Sequence, residues 1–304
     1  MATAVPPARS VTAGRGVRSR RLADSIATGV LWTLAGTILL MLAAFLIYMI
    51  YLGAGSLTPS FLFGTPKETS AGGGIGPEIF NSFYILILTL FFTIPIAVGA
   101  GVYLQEYAQP GPFRSIVQFS AETLATIPSI VMGLFGLLVF VYYLHWGFSA
   151  LGGAMTLTLL NLPAMMRVTQ EALASVPQTL REASMGLGGT RWQSITTVVL
   201  PSAIGRLTTG VVLIAGRIFG ETAALIFTAG LSVSINSPYD FRPFHTAETL
   251  AVHLWYTHSE SVVPDVARIG NGSALVLLLM VLMFNIVARV AGRALTKQFT
   301  GRTS

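Results

Sequence analysis

No charged residue occurs between Asp24 and Lys67, and residues 26–52 of that window are apolar almost throughout. A helix needs roughly 20 apolar residues to cross a bilayer core about 30 Å thick. The run therefore predicts one tilted spanning helix, and it is too long, without a small-residue cleavage site, to be a removed signal peptide. Comparable windows recur. Ile79 to Gln105 predicts a second span, and between Glu122 and Arg167 no charge appears for 44 residues. The dip at His145–Gly153 divides that stretch into a third span, entering from about Ser115, and a fourth ending near Arg167. A fifth runs from about Thr197 to Gly230, interrupted by Arg217 and Glu221, and Ile269 to Ala288 is the sixth. The runs are continuous rather than alternating, which excludes a strand barrel. The predicted fold class is all-α: a polytopic membrane protein with six transmembrane helices.

Composition agrees. Only 10% of the 304 residues are charged and 53% are hydrophobic, against about 25% charged in soluble domains. A cytosolic enzyme is excluded. The absence of cysteine removes disulfides, thiolate metal sites and cysteine nucleophiles. The net charge of +6 does not point to nucleic acid, because the basic residues stand between apolar blocks rather than on one face. Their placement sets orientation instead. With a cytoplasmic N-terminus, that side receives 14 Lys and Arg residues and the opposite side only Lys67, Arg242 and Arg268, with Arg217 inside the membrane. Both termini are expected in the cytoplasm.

The remaining organisation follows from these windows. Residues 1–23 are expected to form a disordered basic cytoplasmic tail that touches anionic lipid, and 24–52 the first transmembrane helix. Residues 53–78 form an external loop with a glycine-rich turn at Gly72, Gly73, Gly74 and Gly76 before Pro77. Residues 79–295 form a core with five further helices and a cytoplasmic loop at 171–201, and 296–304 a second cytoplasmic tail. Residues 231–268 make a longer external segment whose apolar stretch around Leu250–Tyr256 is expected to dip back toward the membrane.

Several chemistries are missing. Lysine occurs only at Lys67 and Lys297, and neither follows a glycine, so no phosphate-binding Gly-Lys-Ser/Thr loop exists here. Gly-x-Ser-x-Gly and His-Glu-x-x-His patterns are absent as well. His245, His253 and His258 share the external segment, but irregular spacing and the lack of cysteine favour polar loop histidines over a metal site. No catalytic residue and no metal are assigned.

The loop between the fourth and fifth spans carries a pattern. Pro177 can open a short helix at its first turn; Leu180, Ala183, Ser184 and Leu187 fall on one face, and Gly188-Gly189 stop it. Spacing alone leaves open whether such a helix lies on the membrane surface or docks a partner. Glu182-Ala183-Ser184, then Gly188, Val198 and Leu200-Pro201, resemble the E-A-A-x3-G-x9-I-x-L-P loop of ABC importer permeases, with Ser184 for alanine and Val198 for isoleucine. The resemblance implies that residues 177–188 are the coupling helix, with Glu182, Ala183 and Gly188 in the contact with a separate ATPase subunit. It also implies the MetI-like fold of type I importers.

The fifth span is the second informative stretch. Arg217 lies 11 residues beyond Arg206, about 16 Å into the core if Arg206 sits at its boundary. A lone charge there costs at least ~2.5 kcal/mol. Glu221, four residues on, is expected to face the same side of the helix and neutralise it. A structural ion pair is one reading; an anion pathway is the other, since the arginine fork suits a tetrahedral oxyanion. The run from Arg217-Ile-Phe-Gly-Glu221-Thr-Ala to Phe227-Thr-Ala resembles the R-x-x-G-E-T-A-P-L-L-F-T-A signature of A-type membrane subunits of phosphate-importing ABC transporters. Ala224 stands for the usual proline and Ile226 for leucine. Gly73-Gly-Ile-Gly-Pro77, Tyr103-Leu-Gln-Glu-Tyr-Ala108, Ile127-Pro-Ser-Ile-Val-Met-Gly133 and Asn285-Ile-Val-Ala-Arg289 extend the likeness from about residue 70 to 290.

The resemblance implies a permease subunit that imports inorganic phosphate by alternating access. Arg167, Arg217 and Glu221 would lie on the substrate path, although Arg167 can also be a positive-inside anchor. The implied partners are a C-type sister subunit, ATPase subunits that carry ATP and Mg, and an extracytoplasmic phosphate-binding protein. No cofactor is expected in this chain and no nucleic acid among its partners. The alternatives are a permease for another substrate (sulfonate, molybdate, methionine) and an ion-conducting channel.

Overall fold

A computed structural model of the chain describes residues 13–67, 70–234, 237–260 and 263–300. Contacts divide the chain into two compact units, 1–52 and 53–304. The first is essentially one helix, α1 (Ala13–Gly53), of 41 residues. Its apolar part, from Asp24 on, is long and apolar enough to cross a membrane. The helix already begins at Ala13, inside the tail expected to be disordered. Arginine is a good helix former and propagation from an existing helix is cheap compared with nucleation. Residues 1–12 lie outside the described residues.

In the second unit a short helix α2 (Pro59–Phe63) precedes α3 (Gly76–Val102), which a π-turn extends over Tyr103–Tyr107. Then come α4 (Pro112–Thr126) and α5 (Ser129–Gly136), the latter extended by a π-turn over Leu137–Tyr143. α6 spans Ala150–Ala174, α7 Gln178–Gly186 and α8 Arg191–Ser194, followed by a π-turn at Ile195–Val199. α9 covers Leu200–Phe219, α10 Ala223–Ile226, α11 Leu250–Ser259 and α12 Val266–Thr300. Among the described residues there is no strand, only an isolated bridge between Val233 and Ala247.

The core is built where α3, α6 and α9 meet, with α12 on α9 and α11 on α12. Close approach of α3 and α6 depends on Gly101, where a Cβ would come within 2.6 Å of the Thr169 Cβ. On α9, Gly210 faces the Val168 side chain of α6 with no room for a Cβ. Small residues at such crossings are how helices pack when lipid removes the hydrophobic drive between them.

Length and apolarity alone do not recover all six expected spans. Among the described residues, four helices are long and apolar enough to cross a membrane: 24–56, 76–107, 191–219 and 266–292. A fifth exists if α4 and α5 count as one span, although they bend by 101°. The bend falls at Ile127-Pro128, where the residue before a proline is driven out of the helical region; Ile127 has ψ 128°. The predicted third span is therefore broken. α6, the predicted fourth, has 25 residues but is not apolar enough to stand among the four. Thr156, Thr158, Asn161 and Thr169 are buried in it. A helix enclosed by other helices need not be apolar on every side.

The predicted fifth span is corrected too. α9 stops at Phe219, and the chain resumes a helix only at Ala223. Gly220 lacks the propensity to carry the helix on. The 223–230 stretch then folds into the core, with Ala224, Leu225 and Ala229 buried, Ser149 N–H donating to Thr228 C=O at 2.9 Å, and Ala247 N–H to Ala229 C=O at 3.0 Å.

Candidate functional site

The buried side of α9 carries Ala203, Leu207, Gly210, Ile214 and Ile218. Its open side carries Ser202, Arg206, Thr209, Leu213 and Arg217, all exposed and spaced at helical intervals. Arg217 sits in the last turn of α9, where the unsatisfied carbonyls of a helix end favour a cation. The expected Arg217–Glu221 pair is not formed. Among the described residues the ion pairs within 4.0 Å do not include it. The helix ends between the two, so i,i+4 geometry does not apply. Glu221 turns to the start of α10, where its Oε1 is 3.5 Å from the Ala224 N–H.

Arg167 lies on α6, next to the Val168 that seats against Gly210. Its Nε donates to Glu171 Oε1 at 3.1 Å, with the arginine side chain 74% exposed. Arg217 stands seven residues beyond Gly210, about 10 Å further along the α9 axis. Both arginines are exposed on neighbouring helices.

The candidate coupling loop contains a short exposed helix. α7 runs from Gln178 to Gly186 and buries no residue; Glu182 and Ala183 are exposed on it, and Leu187 is 91% exposed. Gly188 has φ +87° with nothing within 4 Å of a would-be Cβ. The demand there is conformational, for the left-handed region that glycine enters freely.

Sequence reasoning missed what fastens α7. Arg181, counted only as one of the cytoplasmic basic residues, is 13% exposed and pairs with Glu106 at 2.9 Å. Its guanidinium also donates to Leu173 C=O at 2.7 Å, in the last turn of α6, and to Val176 C=O at 2.6 Å just beyond that helix. One side chain thus joins α7, the end of α6 and the π-turn after α3. Arg191 adds a cation–π contact with Tyr107 at 5.6 Å. The available signal was Glu106, an acid closing the second span on the side that collects arginines.

At the opposite end of α3 the three histidines of the 231–268 segment separate. His245 Nδ1 pairs with Asp240 at 2.8 Å, and His258 Nδ1 bonds Leu254 C=O. His253, on α11, is buried beside Glu248 at 3.1 Å and Glu78 at 4.0 Å. Burial pushes its pKa down, but the hydrogen bond and charge of Glu248, with the charge of Glu78, raise it above the usual value. Nearby, Asp265 Oδ2 accepts from the Gly72 N–H at 3.1 Å and from Arg268 Nε at 3.0 Å. Partial burial works upward on that carboxyl, and these donors outweigh it and hold it below the ordinary aspartate range.

An all-α membrane core with an exposed short helix after α6 and a glycine-stopped turn defines a class. The chain belongs to the family of binding-protein-dependent transport system inner membrane components, whose model matches residues 93–301. It is a multi-pass permease subunit of an ABC importer and not an enzyme. Among its relatives, a probable ABC transporter permease protein, YqgI of Bacillus subtilis, is 42% identical over 93% of this chain and 99% of its own length. The phosphate transport system permease protein PstA of Yersinia pestis is 33% identical over 74% of this chain and 75% of its own. Two solved structures share the fold. The bacterial alginate ABC transporter has a TM-score of 0.65 at 17% identity, covering 92% of this chain and 96% of that one. The inward-facing MetNI methionine ABC transporter has 0.56 at 18%, covering 71% and 94%.

Proposed function

We propose that the chain is the A-type permease subunit of an ATP-driven phosphate importer. With a C-type sister subunit it would form the path for inorganic phosphate by alternating access. The observation that carries this reading is Arg217, an exposed arginine where α9 breaks inside the Arg217–Ala229 run, in a chain whose relatives include phosphate permeases. A guanidinium offers a planar donor fork to a tetrahedral oxyanion, and a broken helix in a transporter core is a recurrent place for a substrate site. Arg167 and Glu221 belong to the same path. α7 is the coupling helix, seated in an ATPase subunit that holds ATP and Mg. An extracytoplasmic phosphate-binding protein delivers the anion. The reading includes six spans, with α6 and the bent α4–α5 pair among them, and both termini in the cytoplasm.

The test is uptake of labelled phosphate by the complex assembled with its partner subunits, in a host lacking other phosphate importers. Competition by unlabelled phosphate but not by molybdate, a sulfonate or methionine is the expected result. ATP-independent flux through the chain alone would instead indicate a channel.

A further inference from the structure

The structure brings together three side chains that neither the import path nor the coupling loop uses. Glu78 lies in the first turn of α3, His253 on α11, and Glu248 just before it. One ligand atom from each falls within 4.8 Å of the others. Glu78 is fully buried, Glu248 nearly so, and His253 is 8% exposed. Neither carboxylate oxygen of Glu78 has a hydrogen-bond partner among the described residues. This is an unusual state for a buried carboxylate, because desolvation of its charge is costly unless a cation or donors replace the lost water. A single imidazolium can offset one of two carboxylates. A divalent cation offsets both.

We propose that Glu78, Glu248 and His253 bind a divalent metal ion of the zinc type. The donor set, one imidazole nitrogen and two carboxylate oxygens, is one that zinc accepts with a water in the fourth place. Bonds of about 2.0–2.2 Å in tetrahedral geometry put ligand atoms about 3.3–3.6 Å apart. The observed separations from His253 Nδ1, 3.1 Å to Glu248 Oε1 and 4.0 Å to Glu78 Oε1, bracket that distance. Small side-chain adjustments suffice. Binding would replace the proton shared by Nδ1 and Glu248, so a proton is released as the metal enters.

The site is reachable. Glu248 and His253 line a cavity of about 630 Å³ that also touches Lys67 and Gly73 of the 53–78 loop. The ligand frame is held before any metal arrives: Asn81 Nδ2 donates to Glu248 C=O at 3.1 Å, and the Leu250 N–H to Ser82 Oγ at 2.9 Å. Both bonds join the start of α3 to the turn into α11. A metal at this point would clip the same two elements together. It would not depend on which substrate the importer carries. The three ligands are separated by up to 175 positions, so no local spacing announces them.

The experiment uses the full chain in lipid nanodiscs, with any affinity tag removed and metal stripped by chelator. Cobalt(II) is titrated in as a spectroscopic stand-in for zinc. The expected result is visible d–d absorption of a low-symmetry site that saturates at roughly one ion per chain, with proton release and a rise in the unfolding temperature. Zinc should displace the cobalt, and Glu78→Gln should weaken binding at least tenfold. If Glu78→Gln does not fold, His253→Gln takes its place, and the wild-type titration decides by itself. No cobalt or zinc uptake by the wild type at micromolar metal would overturn the site. So would equal affinity in the wild type and a folded ligand variant.

Discussion

Arg181 Nη2 donates to Glu106 Oε1 at 2.9 Å across 75 positions of sequence, with both side chains almost entirely buried. The pair fastens the exposed helix α7 to the π-turn after α3, while the same guanidinium holds a carbonyl in the last turn of α6 and one just beyond it. Under the proposed coupling role, a push on α7 would reach the core through this fastening.

Breaking that fastening should cost more than a surface ion pair. Arg181→Ala leaves Glu106 buried and uncompensated, a loss of about 3–5 kcal/mol for a well-buried pair. Arg181→Lys keeps the charge but cannot reach Glu106 and two carbonyls together. Thermal unfolding and ATPase activity of the assembled complex are the measurements. Both variants should lower transport per ATP hydrolysed, alanine more than lysine, and unchanged coupling in Arg181→Ala would remove the fastening role.

At Gly188 the requirement is backbone conformation, since a Cβ there meets nothing. Gly188→Ala should cost about 1–2 kcal/mol for the left-handed region, and Gly188→Asn less. Gly188→Asp adds a charge at the proposed ATPase contact, so transport should fall while membrane insertion is kept. The order Asn, Ala, Asp in increasing damage, measured as uptake per inserted protein, is the signature. Equal damage from all three would mean that space rather than φ matters.

Asp265 supplies a pH dependence whose sign can be worked out. Its folded pKa lies below its ordinary value, so its contribution is present above about pH 4 and is lost as pH falls through the folded pKa. The tie between the glycine-rich turn at Gly72 and the start of α12 should hold from pH 5 to 7 and loosen only in stronger acid. Hydrogen exchange at the Gly72 amide reports it directly. Asp265→Asn should loosen the turn already at pH 7; protection that did not change would show the bond to be incidental.

Much of this architecture was legible in the sequence, for identifiable reasons. Charge-free windows mark α1, α3 and α12 because lipid imposes a minimum apolar length. Gly188 marks the end of the short helix because few other residues enter its conformation. What was hidden depends on tertiary contact. Arg217 and Glu221 stand four apart, and only the structure shows that the helix ends between them. The partner of Arg181 lies 75 positions away.

The break after Phe219 has its own consequence. Arg217 and Glu221 share no direct contact, so a double-mutant cycle of Arg217→Gln and Glu221→Gln should show coupling within about 0.5 kcal/mol. Phosphate uptake by the four complexes is the readout. A coupling above about 1 kcal/mol would mean that the two charges meet in another conformation of the transport cycle.

The most direct test of the phosphate path is Arg217 itself. Removing one charge-assisted partner of the anion should cost about 1.5–3 kcal/mol, a loss of roughly 10- to 150-fold. Radiolabelled phosphate uptake, with all partner subunits present and corrected for assembled complex, should fall by that much in Arg217→Gln and by less in Arg217→Lys. Arg167→Gln should act in the same direction. Full uptake by assembled Arg217→Gln would contradict the account, leaving the arginine as a cap on the end of α9 and phosphate without a binding group there.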